Sequence, residues 1–320
     1  MNQVRMLSRL VKSFGVSGYE WIEQGIAPTI QSIIGRNSMR IGDNLVFVFG
    51  TGAKKIMVSA HMDEVGFMVT KKRREYCRLV PIGSVNIKSM KNEQLTFLPS
   101  SVTSRKIEKA KDFSDLKIYF KSSPEIGDVG TFSKQITVNN NIVESPCLDN
   151  RVGCCALIQC IRQIAKINIK NKTVFFCFAP REEQRANGIM PAVKKINPDI
   201  CIDVDSAYAQ PIKKQKERKN WRIPVIGKGP AIQLLGKDYI LTYDNRKKVT
   251  EICKKFSIAF QYEVPDRDNG GTFAQTLINN GYETIQINIP VALQHCSKSR
   301  SCLGDITATS VLLKEVILNI

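Results

Sequence analysis

The chain has 320 residues, 43% hydrophobic and 24% charged. That is enough to bury a sizeable core in one large domain or two ordinary ones without disulfides. No apolar run is long enough to span a bilayer, which argues against a membrane helix. The net charge of +18 suggests attraction to polyanions or acidic substrates. However, the basic runs Lys71-Lys72-Arg73-Arg74, Lys213 to Arg218 and Arg246-Lys247-Lys248 carry no interleaved aromatic residues. They read as solvated basic surface rather than a nucleic-acid site.

Residues 3–14 place Val4, Leu7, Val11 and Phe14 near helical spacing, and predict a first helix rather than a signal peptide, whose apolar core is missing. Gly15 to Gly18 is a turn, and Ser17 is expected to cap a second helix running to about Ile34. Asn44 to Phe49 and Lys55 to Ala60 predict strands, the second ending in His61-Met62-Asp63-Glu64. From about residue 71 to 143 the texture changes to short β-like runs: Arg78 to Pro81, Gln94 to Leu98, Leu116 to Phe120 and Val129 to Phe132. These predict a small β-rich domain (71–143) inserted into a main domain formed by 1–70 and 144–320.

The main domain then alternates helix and strand. Helices are expected over 150–165, Gly188 to Lys195, Asp238 to Phe256, Thr272 to Asn279 and Asp305 to Leu318. Strands are expected at Thr173 to Ala179, Ile200 to Val204, Ala259 to Glu263 and Thr284 to Ile289. Such alternation predicts an α/β fold with a mostly parallel sheet flanked by helices, and ligand sites of such sheets lie beyond the carboxyl ends of the strands. Ten cysteines, none in a CxxC pair and several inside apolar runs, read as reduced, buried thiols and make the cytoplasm the expected compartment.

The candidate chemistry sits at those strand ends. The chain has two histidines: His61 directly follows one strand, and His295 lies in the loop after another. Acids gather in the same places, at Asp63, Glu182-Glu183 and Asp203-Val204-Asp205, while Asp149 opens a helix. Each cluster alone is ordinary: adjacent glutamates are commonly a solvated face, and a DxD is as often a loop cap as a ligand. Their ordered joint occurrence points to a two-metal hydrolase, since imidazole and carboxylate suit Lewis-acidic hydrolytic metals. Asp149, Glu183 and Asp205 with one hydroxide balance two divalent ions. Glu182 is then free to act as general base, and Asp63 is placed to orient the His61 ring.

Read as a set, the stretches Gly15-Val16-Ser17-Gly18-Tyr19-Glu20, Ala60 to Phe67, Ile126-Gly127-Asp128, Leu148 to Gly153, Glu182-Glu183, Pro198-Asp199 to Asp205, Gly270-Gly271-Thr272 and Gln294 to Ser297 resemble the glutamyl and deblocking aminopeptidase family. Its members are dinuclear metallo-aminopeptidases with a zinc-exopeptidase-like fold. The resemblance spans nearly the whole chain in order. It implies one metal held by His61, Asp149 and Asp205, and another held by Asp149, Glu183 and His295, with zinc or cobalt as the ions. It also implies that the insert is a PDZ-like dimerisation domain, that dimers build larger cages up to a dodecamer, and that the substrates are short peptides.

The sequence departs from the family where Asn150 replaces a second acid, where Gln184-Arg185 follow Glu183, and in the shortness of the insert. Asp203 competes with Asp205 as ligand, and matching forward from Pro198-Asp199 favours Asp205. The family's glutamyl preference and the net charge make acidic first residues attractive, but bulk charge does not define a pocket. Two other readings stand beside the aminopeptidase: a deacylase or amidohydrolase on the same dimetal scaffold, and a non-catalytic polyanion-binding homologue. The second has no use for Glu182, so nucleic acid is not the expected partner.

Overall fold

The computed structural model describes residues 1–90, 93–108, 110–209, 222–265 and 271–320. The basic run 213–218 and Gly270 lie outside them. Helices α1 (Gln3–Lys12) and α2 (Ile26–Ile34) precede strands β1 (Met39–Ile41), β2 (Asn44–Gly50) and β3 (Lys54–His61). Six strands follow: β4 (Gly66–Lys72), β5 (Tyr76–Ile82), β6 (Leu95–Leu98), β7 (Val102–Ile107), β8 (Ile118–Phe120) and β9 (Val129–Phe132). Then come β10 (Thr137–Asn139), β11 (Ile142–Ser145), α3 (Leu148–Ile164), β12 (Lys172–Ala179), α4 (Met190–Ile196) and β13 (Ile200–Tyr208). The chain continues through β14 (Ala231–Gln233), α5 (Tyr243–Lys255), β15 (Gln261–Glu263), α6 (Phe273–Asn279), β16 (Thr284–Val291), β17 (Ser299–Cys302) and α7 (Leu303–Asn319).

Eight strands form the main sheet in the order β1-β2-β12-β3-β13-β16-β14-β15. The central four, β12, β3, β13 and β16, are mutually parallel. They read as near-continuous apolar runs because helices cover both faces; Ile56, Met57 and Val58 of β3 are all fully buried. The expected mostly parallel sheet is nevertheless mixed. β1 and β2 form an antiparallel hairpin that joins β12 antiparallel, and β14 joins β16 antiparallel while running parallel to β15. Parallel neighbours need a long crossover, and the short connections around β1 and β2 leave no room for one.

One face is covered by α1, α2, α3 and α7 in the larger core, the other by α4 and α6 in a smaller one. Ile306, Leu312, Leu313, Val316 and Ile317 of α7 are fully buried, a gross gain on the order of 10 kcal/mol before ordering entropy is charged. No helix among the described residues is long and apolar enough to cross a membrane. The ten cysteines are free thiols, eight of them buried; burial pushes the Cys155 thiol up to about 12.

The β-rich unit takes the form of a closed barrel in the order β4-β5-β8-β7-β6-β9, where the resemblance implied a PDZ-like domain. Closure leaves no unpaired edge, and Phe67, Leu79, Leu95, Phe97, Ile118 and Phe132 fill its interior. Its first residue, Gly66, is held against the main domain: a Cβ there would lie 2.6 Å from Val16 and 2.7 Å from the Gly130 carbonyl oxygen.

The second helix does not start at Ser17. It starts at Ile26, with Gly25 as its N-cap residue, because residues 14–25 are used otherwise. Val16 pairs with Glu64 and Phe14 with Gly25, and the Ser17 hydroxyl donates to Asp63 instead of capping a helix.

Candidate metal centre

Parallel pairing brings the carboxyl ends of the central strands to one edge. His61 is the last residue of β3 and stands in register with Ala179, the last of β12. The loop that follows β12 therefore carries Glu182 and Glu183 past His61. β13 supplies Asp205, and the loop after β16 supplies His295. Gln294 Nε2 donates to Ser206 Oγ at 2.7 Å, tying that loop to β13. Asp149 enters from the start of α3, where Asp149 and Asn150 depart from helical geometry.

Asn150 fixes this entry. Its Oδ1 accepts from the Gly153 N–H at 2.9 Å and its Nδ2 donates to the Val204 carbonyl at 2.8 Å. A carboxylate at 150 would present an acceptor to that carbonyl, so the amide suits this chain's packing.

These elements bring the five expected ligands together. His61 Nε2 lies 3.0 Å from Asp149 Oδ1 and 3.3 Å from Asp205 Oδ1. His295 Nε2 lies 3.2 Å from Asp149 Oδ2 and 3.4 Å from Glu183 Oε2. Asp149 thus faces one histidine with each oxygen. Asp203 is engaged elsewhere: its Oδ1 accepts from Ser59 Oγ at 2.6 Å, and among the described residues it pairs with neither histidine.

The donor set fits divalent cations. Single donor atoms of His61, Asp149 and Glu183 all lie within 4.8 Å of one another. Among the described residues Glu183 Oε1 is buried without a hydrogen-bond partner, a costly state that a cation relieves. Mixed imidazole and carboxylate ligation suits zinc, cobalt and manganese.

Asp63 lies beneath this cluster, fully buried. Its Oδ1 is 3.4 Å from His61 Nδ1. It also accepts the backbone N–H of Glu182 at 3.0 Å and of Glu183 at 3.1 Å. It therefore holds the loop that bears both glutamates, a role its spacing from His61 did not reveal. Arg151, also fully buried, donates to the carbonyls of Leu10 and Met62 and to Glu64 Oε1. Glu64 in turn accepts from Thr131 and Lys134 of the barrel side. This network fastens the His61–Asp63 segment to α1 and to the barrel. No sequence pattern marked it.

Burial and charge set the protonation of the group. Burial alone would lower the His61 pKa, but Asp205, Asp149 and Asp63 hold it well above the ordinary value. Burial likewise opposes the His295 charge, and Glu183 with Asp149 raises it to about 9. Burial would raise the Asp149 pKa, yet the two histidines hold it below the usual carboxylate range. Burial pushes Glu183 up to about 8 and Glu182 well above its ordinary value.

The cluster opens into a cleft of about 560 Å³ lined by Glu182, Glu183, Asp149, Asp205 and His295, with Gln233, Glu263 and Asn288 beyond them. A larger cavity of about 740 Å³, bordered by Arg105, Lys106, Glu144 and Lys298, touches none of these ligands.

A family model described as M42 glutamyl aminopeptidase matches residues 43–107 and 120–312. Among individual relatives, a lysyl aminopeptidase of Pyrococcus furiosus is 26% identical, covering 98% of this chain and 96% of its own. An aminopeptidase structure from the archaeon Desulfurococcus kamchatkensis superposes with a TM-score of 0.89 at 20% identity, covering 98% of this chain and 94% of that one. The TET1 peptidase of Pyrococcus horikoshii, described as assembling into a tetrahedron or a large octahedral shell, gives a TM-score of 0.84 at 22% identity, covering 98% and 99%. At such identities the structural likeness speaks for the fold.

Proposed function

From the premise that this chain belongs to the M42 glutamyl aminopeptidase family, we propose that it is a metal-dependent aminopeptidase removing first residues from short peptides. The observation that carries this reading is the facing of both histidines onto the two oxygens of Asp149, at 3.0 and 3.2 Å, beside the orphaned Glu183 oxygen. His61, Asp149 and Asp205 would hold one divalent ion, and Asp149, Glu183 and His295 the other, with zinc or cobalt as the expected metals. Bound there, such ions supply Lewis acidity to the scissile carbonyl and to the attacking water.

The residues of the chain do the rest. Glu182 lines the cleft beside the ligands and takes a proton from the attacking water, then returns it to the leaving amine. Asp63 acts as a positioning residue, holding the Glu182 and Glu183 amides so that one side chain is presented to metal and its neighbour to substrate. The β-rich insert, expected over 71–143 and begun in the fold at Gly66 of β4, serves dimerisation, the catalytic domain being formed by the parts expected over 1–70 and 144–320, and dimers are units of a larger homo-oligomer up to a dodecamer. The assembling Pyrococcus horikoshii relative supports this.

The test is hydrolysis of a panel of aminoacyl p-nitroanilides by protein stripped with a chelator and then resupplied with zinc or cobalt. Activity should vanish on chelation and return with metal. Silence on every free-amine substrate alongside cleavage of N-acylated peptides would replace the aminopeptidase by a deacylase. The names in the family differ in the residue removed, glutamyl in the family description and lysyl in one relative. The preference must therefore be read from this chain's own cleft.

A further inference from the structure

Beyond the ligands, the cleft floor is a row of polar side chains drawn from four neighbouring strands. Asp205 of β13 is in register with Asn288 of β16. Asn288 Nδ2 donates to Gln233 Oε1 of β14 at 3.0 Å and to Glu263 Oε2 of β15 at 2.7 Å. Gln233 and Glu263 are themselves in register. All three side chains line the cleft, and all three residues are buried, Glu263 only 4% exposed. A polar row of this kind on a sheet face has no packing purpose that apolar residues would not serve better. Its last member is a carboxylate.

A carboxylate accepts about four hydrogen bonds, and among the described residues Glu263 accepts a single side-chain bond, from a neutral amide. Among the described residues no lysine or arginine pairs with it. Burial pushes its pKa up to about 8, against the lowering effect of Asn288. Such a group is largely neutral in an open cleft and ionises when a cation is placed beside it. Apart from His295 at the ligand cluster, the cleft is lined by two basic side chains, Arg185 and Lys237, and both are exposed. Water and salt screen them, whereas Glu263 lies where screening is weak.

The distances suit a long side chain. Asp205 and Asn288 stand one strand spacing apart, about 4.8 Å, and Glu263 lies one hydrogen bond further on. A first residue whose backbone is held near Asp205 therefore needs an extended, cation-tipped side chain to reach it.

We propose that Glu263 is the specificity-determining residue of this cleft, selecting peptides whose first residue is lysine or arginine. This rests on the aminopeptidase reading above, and it departs from the acidic preference that the net charge and the family description suggest. Asn288, itself bonded to Gln233, holds the Glu263 carboxyl in place, and the substrate supplies the missing counter-charge.

The experiment measures kcat/KM of the full metal-loaded chain on lysyl, arginyl, leucyl and glutamyl p-nitroanilides, for wild type and Glu263→Gln. Wild type should favour lysyl and arginyl over leucyl by at least about tenfold, and Glu263→Gln should reduce that ratio by about tenfold or more. The ratio is taken within one preparation, so a partly folded variant does not imitate the effect. If Glu263→Gln does not fold, Glu263→Asp, which keeps the charge and shortens its reach, takes its place with the same ratio as the readout. A wild type that prefers glutamyl or leucyl, or a ratio unmoved in Glu263→Gln, overturns the proposal and leaves the aminopeptidase standing. Silence on all four substrates removes both.

Discussion

Glu182 and Glu183 are adjacent, yet their surroundings give them different work. Both line the cleft, but Glu183 Oε2 faces His295 at 3.4 Å, while among the described residues Glu182 pairs with neither histidine. Both backbone amides are gripped by Asp63, so neither residue drifts without the other. The two roles therefore separate under mutation. Glu182→Gln keeps the shape of the side chain and removes its basicity. It should lower kcat by roughly 10²–10⁴-fold while elemental analysis finds the wild-type metal content; undiminished turnover would remove Glu182 from the mechanism. His61→Ala takes a nitrogen from the shared face of Asp149 and Asp205, and should bind less metal in the same elemental analysis.

Elements hold these residues in place through their ends. Lys172 opens β12, and its Nζ donates to the carbonyls of Ile317 at 3.0 Å, Leu318 at 3.3 Å and Ile320 at 2.8 Å. These belong to the end of α7, whose last carbonyls lack helical partners and carry the negative end of the dipole. Lys172→Met leaves them unmet in a buried setting, and should cost about 2 kcal/mol in urea denaturation; an unchanged midpoint would mean that water takes over the cap. The long central strands were legible in the sequence because β3, β12, β13 and β16 are apolar on both faces. The strands β7, β14 and β17 were not, because three to six residues with mixed polarity are held by their partners rather than by propensity. The same division runs through the site. His61, Asp149, Glu183 and His295 could be marked because they fall at or beyond element ends, whereas Asp205, expected just past a strand ending at Val204, lies inside β13, which runs on to Tyr208. The grip of Asp63 on two amides, the Arg151 network and the row from Asn288 to Glu263 depend on register between strands far apart in sequence, and no local pattern carries that information.

The whole molecule carries +18 at neutral pH, a self-repulsion that favours expansion. Raising ionic strength from about 0.01 to 0.1 M shortens the screening length from about 30 to about 10 Å. The urea midpoint should accordingly rise across that range, and a midpoint that falls would show that attractive surface pairs outweigh the net charge. At this scale the ligand set has a further property. As proposed, it runs from His61 to His295, and no shorter stretch contains it. A chain still being synthesised holds four of the five ligands in the order His61, Asp149, Glu183 and Asp205, but lacks the partner that Asp149 and Glu183 share until the loop after β16 has emerged. Completion of the cluster is thus a late event in the making of the protein. On the function proposed above, the nascent chain passes most of its growth without a complete centre, among other unfinished polypeptides whose exposed first residues the finished chain would be equipped to remove.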